Sequence, residues 1–329
     1  MDSPQRHGDT EKFFCFSPCL CVSVVGLILT GCGRYADFSL PRQPGGDPHM
    51  TFTFEPRPQP VLPREREKDV LNPSVAGDTM YYSAFDGRTW RTARATSDDG
   101  LHWRKSGIVL SPDPHTWEGS YIAANGSAIQ YRGGIWYWYV AGARNRPRIG
   151  LMRTRHPVLD PGPYMSWDER GVADPYIIRI EPYFYMYYLG QDRAGRQRIG
   201  LARSTDGIHW EKLRSNPILE LSDEGFDENG LGEPAVWSSN GYYWMLYTGR
   251  DRSEMRRLGI ARSTDGVHWT RLAAVYSGTE AWDSKVICDP TVEMAHGEVR
   301  VWFGGGDVAR PDENLDGQIG YGVLRKVRQ

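Results

Sequence analysis

Ile199-Gly200-Leu201-Ala202-Arg203-Ser204-Thr205-Asp206-Gly207-Ile208-His209-Trp210 decides the fold, because the chain says it again. Residues Leu258-Gly259-Ile260-Ala261-Arg262-Ser263-Thr264-Asp265-Gly266-Val267-His268-Trp269 repeat it almost letter for letter. A third copy of its second half is Ser97-Asp98-Asp99-Gly100-Leu101-His102-Trp103. Asp-Gly between apolar runs is a strong hairpin signal, because the turn needs positive φ. Each copy therefore predicts strand, tight turn, strand. Ile149-Gly150-Leu151-Met152-Arg153 and Ile319-Gly320-Tyr321-Gly322-Val323 are partial copies of the leading strand. Together they mark five units.

Working outward, a second phrase precedes three of the units. Trp167-Asp168 leads to Asp174-Pro175, Phe226-Asp227 to Glu233-Pro234, and Trp282-Asp283 to Asp289-Pro290. After each acid-proline pair come an apolar strand, a turn and an aromatic strand such as Tyr242-Tyr243-Trp244-Met245-Leu246-Tyr247. Asn72-Pro73 and Asn125-Gly126 hold the same place in the first two units. Each unit thus contains about four short strands, the content of a propeller blade. Units this small cannot bury both faces alone and must stack. The expected fold is all-β, a five-bladed β-propeller over residues 64–329. A composition with 12 Trp, 18 Tyr, 37 Gly and 22 Pro suits short strands and tight turns. The formal net charge of −2, without a basic stripe or a phosphate-cradling glycine loop, argues against nucleic acid as a partner.

The first tenth of the chain reads differently. Cys21–Leu29 is an apolar run too short to span a bilayer but of signal-peptide length. Leu29-Thr30-Gly31-Cys32 resembles the lipobox of bacterial lipoproteins. The resemblance implies a signal peptide over residues 1–31, lipidation of Cys32, export, and anchoring to the outer membrane or cell surface. Residues 32–63 are rich in Pro and Gly and read as a tether. Their Thr51-Phe52-Thr53-Phe54-Glu55 segment alternates and could add a strand to the body. Four of the five cysteines fall in this first tenth, so a folded body holding only Cys288 has no disulfide framework.

In a propeller the first strand of each blade lines the axis. One position per blade then faces a shared channel: Asn72, Asn125, Asp174, Glu233 and Asp289. Three converging carboxyl groups raise at least one pKa. A protonated carboxyl beside an ionised one is what glycoside cleavage requires. On these residues, residues 65–329 resemble the five-bladed propeller glycosidases of glycoside hydrolase family 43 and its relatives, families 32, 62, 117 and 130. The resemblance implies Asp174 as the pKa-tuning residue and Glu233 as the general acid. The base, an aspartate in blade one of family 43, is here Asn72. That leaves Asp69 and Asp289 as candidates for it. Asn72, Asn125 and Trp117 are candidate substrate contacts. Asp168, Asp227 and Asp283 repeat too faithfully to be catalytic and are expected to brace loops. His102, His209 and His268 lie on separate blades, too far apart for a shared metal. No metal or other cofactor is expected, apart from a structural calcium ion that the channel acids could hold. The expected activity is hydrolysis of an oligo- or polysaccharide, arabinofuranoside- or xyloside-like, by a monomer. A phosphorylase and a non-catalytic glycan-binding lipoprotein are the competing functions.

Overall fold

The computed structural model describes residues 35–295 and 297–328. The signal-peptide and Cys32 expectations lie outside the described residues. Two strands precede the body, β1 (Tyr35–Ala36) and β2 (Met50–Pro56). Then come five antiparallel meanders. The first is β3 (Asp69–Ala76), β4 (Thr79–Phe85), β5 (Trp90–Thr96) and β6 (Arg104–Leu110). The second is β7 (Ile122–Tyr131), β8 (Gly134–Ala143), β9 (Arg146–Leu151) and β10 (His156–Leu159). The third is β11 (Gly171–Ile180), β12 (Tyr183–Gln191), β13 (Gln197–Ser204) and β14 (Glu211–Leu213), and the fourth is β15 (Gly230–Ser239), β16 (Tyr242–Arg250), β17 (Arg256–Ser263) and β18 (Thr270–Tyr276). The last contains β19 (Val286–Ala295), β20 (Glu298–Gly306) and β21 (Gln318–Arg328). The inner strands β3, β7, β11, β15 and β19 touch in that order, and β19 touches β3, so the ring closes as a β-propeller.

The fifth blade takes its outer strand from the segment ahead of the first blade. β2 pairs antiparallel with β21 from Met50↔Arg328 to Pro56↔Gly322. The strand that the alternating segment could add is thus present, and the described residues on either side of it make contacts with the body that a free tether would lack. Phe52 is buried edge-on against Trp244 and Trp237 of blade four. Leu40 is buried, and its N–H donates to the carbonyl of Asp265. β1 adds in parallel to β14 of blade three. Composition hid these contacts, because Pro-rich chain can lie extended along a surface as readily as it can span solvent.

The core lies between blades rather than within them. Trp136 and Trp138 of blade two pack with Phe184, Met186 and Trp210 of blade three, and Trp302 and Tyr321 of blade five with Met80 and Tyr82 of blade one. The repeated Ser-x-Asp-Gly-x-His-Trp phrase serves these seams. It is a wider loop than the tight hairpin expected. In residues 205–210 the Asp206 carboxylate accepts the N–H groups of Ile208 and His209 and meets the His209 ring, while Ser204 Oγ accepts the Gly207 N–H. The left-handed conformation falls on Gly207 and not also on Asp206, as a two-residue turn with positive φ at both positions would need. The outward-facing glycine carbonyl then receives an aromatic donor from the preceding blade. Trp138 Nε1 donates to Gly207 O at 2.9 Å, Tyr187 Oη to Gly266 O at 3.0 Å, and Trp302 Nε1 to Gly100 O at 2.8 Å. The last of these joins blade five to blade one. The histidines are exposed, each paired to its own loop aspartate.

Candidate active site

Each of the five ring residues sits in a bulge of its inner strand. Asp174 and Pro175 together oppose Tyr188, because the ladder passes from Ala173↔Leu189 to Tyr176↔Tyr187. The same shift occurs at Asn72, Asn125, Glu233 and Asp289. The bulged residue is left-handed in every blade, with φ of 49° at Asn72, 50° at Asn125, 46° at Asp174, 53° at Glu233 and 51° at Asp289. A bulge re-aims a side chain out of the alternation of the strand. The following proline fits because the skipped residue owes the ladder no N–H. Asn and Asp tolerate the left-handed region, whereas a glutamate there is strained, a mark of functional positions.

The ring forms a septum across the axis. On one side is a cavity of about 190 Å³, lined by all five ring residues with Trp90, Arg144, Gln197, Arg250 and Arg256 among others. On the other is a proline-lined space of about 30 Å³. Hydrogen bonds link neighbours around most of the ring. Ser83 Oγ donates to Asn125 Oδ1 at 2.8 Å, and Asn125 Nδ2 donates to Asp174 Oδ1 at 3.2 Å. The Asp289 N–H donates to Glu233 Oε2 at 3.0 Å. Asn72 Nδ2 donates to Asp289 Oδ1, and the Asn72 N–H and Cys288 Sγ donate to Asp289 Oδ2. No such bond joins Asn72 to Asn125, and none joins Asp174 to Glu233. Each of these two has one carboxyl oxygen committed to the ring and one left over, and both line the larger cavity.

Electrostatics follow from this arrangement. Burial, and then the charge of Glu233, push the Asp174 carboxyl up to about 7, against the pull of Asn125 and Arg256. Asp289 is raised well above the carboxylate range by burial, then by Glu233 and Asp174. Two acids facing one space cannot both ionise cheaply, so their protons belong to the group and not to one residue. The resemblance implied Glu233 as the proton donor; of the two acids facing the cavity, Asp174 is the one whose carboxyl burial pushes up.

The remaining candidates fall elsewhere. Asp69 is fully buried and off the cavity, where it accepts the N–H groups of Asn314, Leu315 and Gly317. With both oxygens engaged it anchors the loop over residues 307–317 and is not the base. Asp289 joins the ring, but its oxygens are occupied by Asn72 and Cys288. Asn72 and Asn125 line the cavity. Trp117 packs between strands of blade two: its Nε1 donates to Arg155 O, and its ring meets Tyr139. It is the blade-two counterpart of Trp167, Phe226 and Trp282. Glu118 beside it matches the bracing acids, taking the Tyr139 hydroxyl as Asp168 takes Tyr188 and Asp227 takes Tyr247. Asp283 instead takes the hydroxyl of Tyr276, which lies on β18 of blade four. Glu233, Cys288 and Asp289 place one donor atom each within 4.8 Å of one another. Two carboxylates, one already engaged, and a thiol held protonated by burial suit calcium poorly.

Sequence reasoning missed Trp90, Gln197 and Arg256. They occupy equivalent places at the entry of β5, β13 and β17, opposite Phe85, Gln191 and Arg250. The repeat carried the signal, since Gln197 and Arg256 both stand three residues before the glycine of the phrase.

Residues 80–297 match the family model of the glycosyl hydrolases family 32 N-terminal domain. An uncharacterised protein of Mycobacterium tuberculosis is 29% identical over 228 residues, 62% of this chain and 75% of its own length. The 1,2-beta-oligomannan phosphorylase of Thermoanaerobacter sp. (strain X514) is 30% identical over 128 residues, 36% of this chain and 43% of its own. A solved structure has a TM-score of 0.60 at 18% identity, covering 86% of this chain and 96% of that one; it comes from the GH130 family of mannoside phosphorylases, which contains glycoside hydrolases targeting beta-1,2 mannosidic linkages in Candida mannan. The propeller fold is common to both.

Proposed function

The chain belongs to the family of the glycosyl hydrolases family 32 N-terminal domain, and from that premise we propose that it cleaves glycosidic bonds with the Asp174–Glu233 pair. The observation that carries this is that no hydrogen bond joins these two acids, each of which lines the cavity and keeps one carboxyl oxygen that the ring does not engage. With one proton between them, the protonated carboxyl delivers it to the leaving oxygen. Its ionised partner takes a proton from the attacking water, whose oxygen bonds to the anomeric carbon as the C–O bond breaks, so the pair ends with the one proton it began with. Two carboxyl groups suffice for hydrolysis, so Asn72 in blade one removes no essential group. We take the substrate to be an oligo- or polysaccharide of the arabinofuranoside or xyloside type, met outside the cell by a lipid-anchored protein.

Phosphorolysis is a second reading with its own support. Arg250 and Arg256 line the cavity, and an attacking phosphate needs no activating base. The test is release of the aglycone from aryl glycosides, and of sugar from plant and microbial polysaccharides, with and without phosphate. Release in phosphate-free buffer supports hydrolysis, and release only with phosphate supports the second reading. Release that Glu233→Gln leaves unchanged overturns the pair.

A further inference from the structure

Arg256 is the buried cation of this site. It is 8% exposed and lines the cavity beside the ring. It has two sets of neighbours. On one side are the acids: its charge acts on Glu233 of β15, Cys288 and Asp289 of β19, and Asp174 of β11. On the other side is the loop of residues 307–317, whose Arg310 and Pro311 carbonyls both accept from Arg256 Nη2. Pro311 and Asp312 of that loop are themselves cavity lining. The other cations that line the cavity are each paired with an acid outside the ring. Arg250, opposite Arg256 on β16, pairs with Glu254, and Arg144 pairs with Asp312 and Glu313. The Arg256 backbone is fixed too, its N–H donating to Lys285 O at 3.0 Å.

We propose that Arg256 is a positioning residue for the Asp174–Glu233 pair: one guanidinium that is counter-ion to the ring acids and also pins the 307–317 loop over the cavity. The proposal rests on that pair being the reacting groups. A planar guanidinium can do both at once, because its donors diverge in a fixed fork. Lysine would keep the charge but present a single ammonium, and glutamine would keep neither the charge nor the fork.

The test uses the full chain with 13C-labelled aspartate, titrated without substrate, together with hydrogen exchange over residues 307–317. In Arg256→Gln the Asp174 carboxyl is expected to titrate higher by about one pH unit or more, the scale of losing a nearby opposite charge. The alkaline limb of kcat/KM moves the same way, and the loop amides exchange faster. In Arg256→Lys the carboxyl titration stays near the parent's while the loop still exchanges faster. A folded Arg256→Gln protein, checked by its thermal midpoint, with parental carboxyl titration overturns the proposal. Should Arg256→Gln not fold, Arg256→Lys decides: faster loop exchange with unmoved titration supports it, and parental exchange overturns it. The titration needs no turnover, so it reads Arg256 even if every glycoside tried is inert, an outcome that would count against the pair instead.

Discussion

Desolvation in the channel and the charge of Glu233 hold the Asp174 carboxyl high, and this couples activity to stability. Its folded pKa of about 7 lies above the ordinary 3.8, so the native state binds more protons than the unfolded chain between those values. Its contribution to stability is therefore fully present below about pH 4 and is lost as pH rises through 7. Asp289, also raised, adds loss of the same sign. Asp174→Asn keeps the shape and abolishes the charge. Its thermal midpoint is expected to exceed the parent's at pH 8 and to lose that advantage at pH 4, by differential scanning calorimetry. The same substitution, like Glu233→Gln, is expected to cut kcat/KM about 10²–10⁴-fold, the usual worth of a positioned proton donor or acceptor. In the parent, kcat/KM should fall on the alkaline side with a midpoint near 7, since the pair works with one proton.

The loops and bulges show how elements carry those residues. Asp69→Ala would leave three N–H groups of the 307–317 loop without their acceptor, those of Leu315 and Gly317 inside a buried site. It is expected to cost about 2–4 kcal/mol by urea denaturation, and to loosen the cavity wall. The ring positions were legible in the sequence because a bulge is written locally, as an acid or amide followed by Pro or Gly at one phase of the repeat. Asp69 was not legible, because its partners lie 245 to 248 residues further along the chain. The engagement of Asp289 by Asn72, 217 residues away across the closing seam, was hidden for the same reason. Trp117 misled because an aromatic residue reads alike whether it stacks on sugar or on strands; its place beside Glu118, in phase with Trp167-Asp168, would have identified it as packing.

At the scale of the whole molecule, closure joins a strand that precedes the first blade to the last strand of the fifth, through β2 and β21. A protein beginning at residue 35 keeps that seam. One beginning at residue 57 loses β2 and exposes the aromatic surface under Phe52. The shorter protein is expected to be insoluble or to melt far lower by circular dichroism, whereas a tether over residues 32–63 would be dispensable. The closed ring is what lets five separate bulges meet at one axis, and with it the site stands or falls. The decisive measurement is the rate of aglycone release by the parent and by Glu233→Gln, across the glycoside set, with and without phosphate. The account predicts release by the parent and a loss of at least about 100-fold in the variant, at an unchanged thermal fold. Equal rates in the two proteins would contradict it.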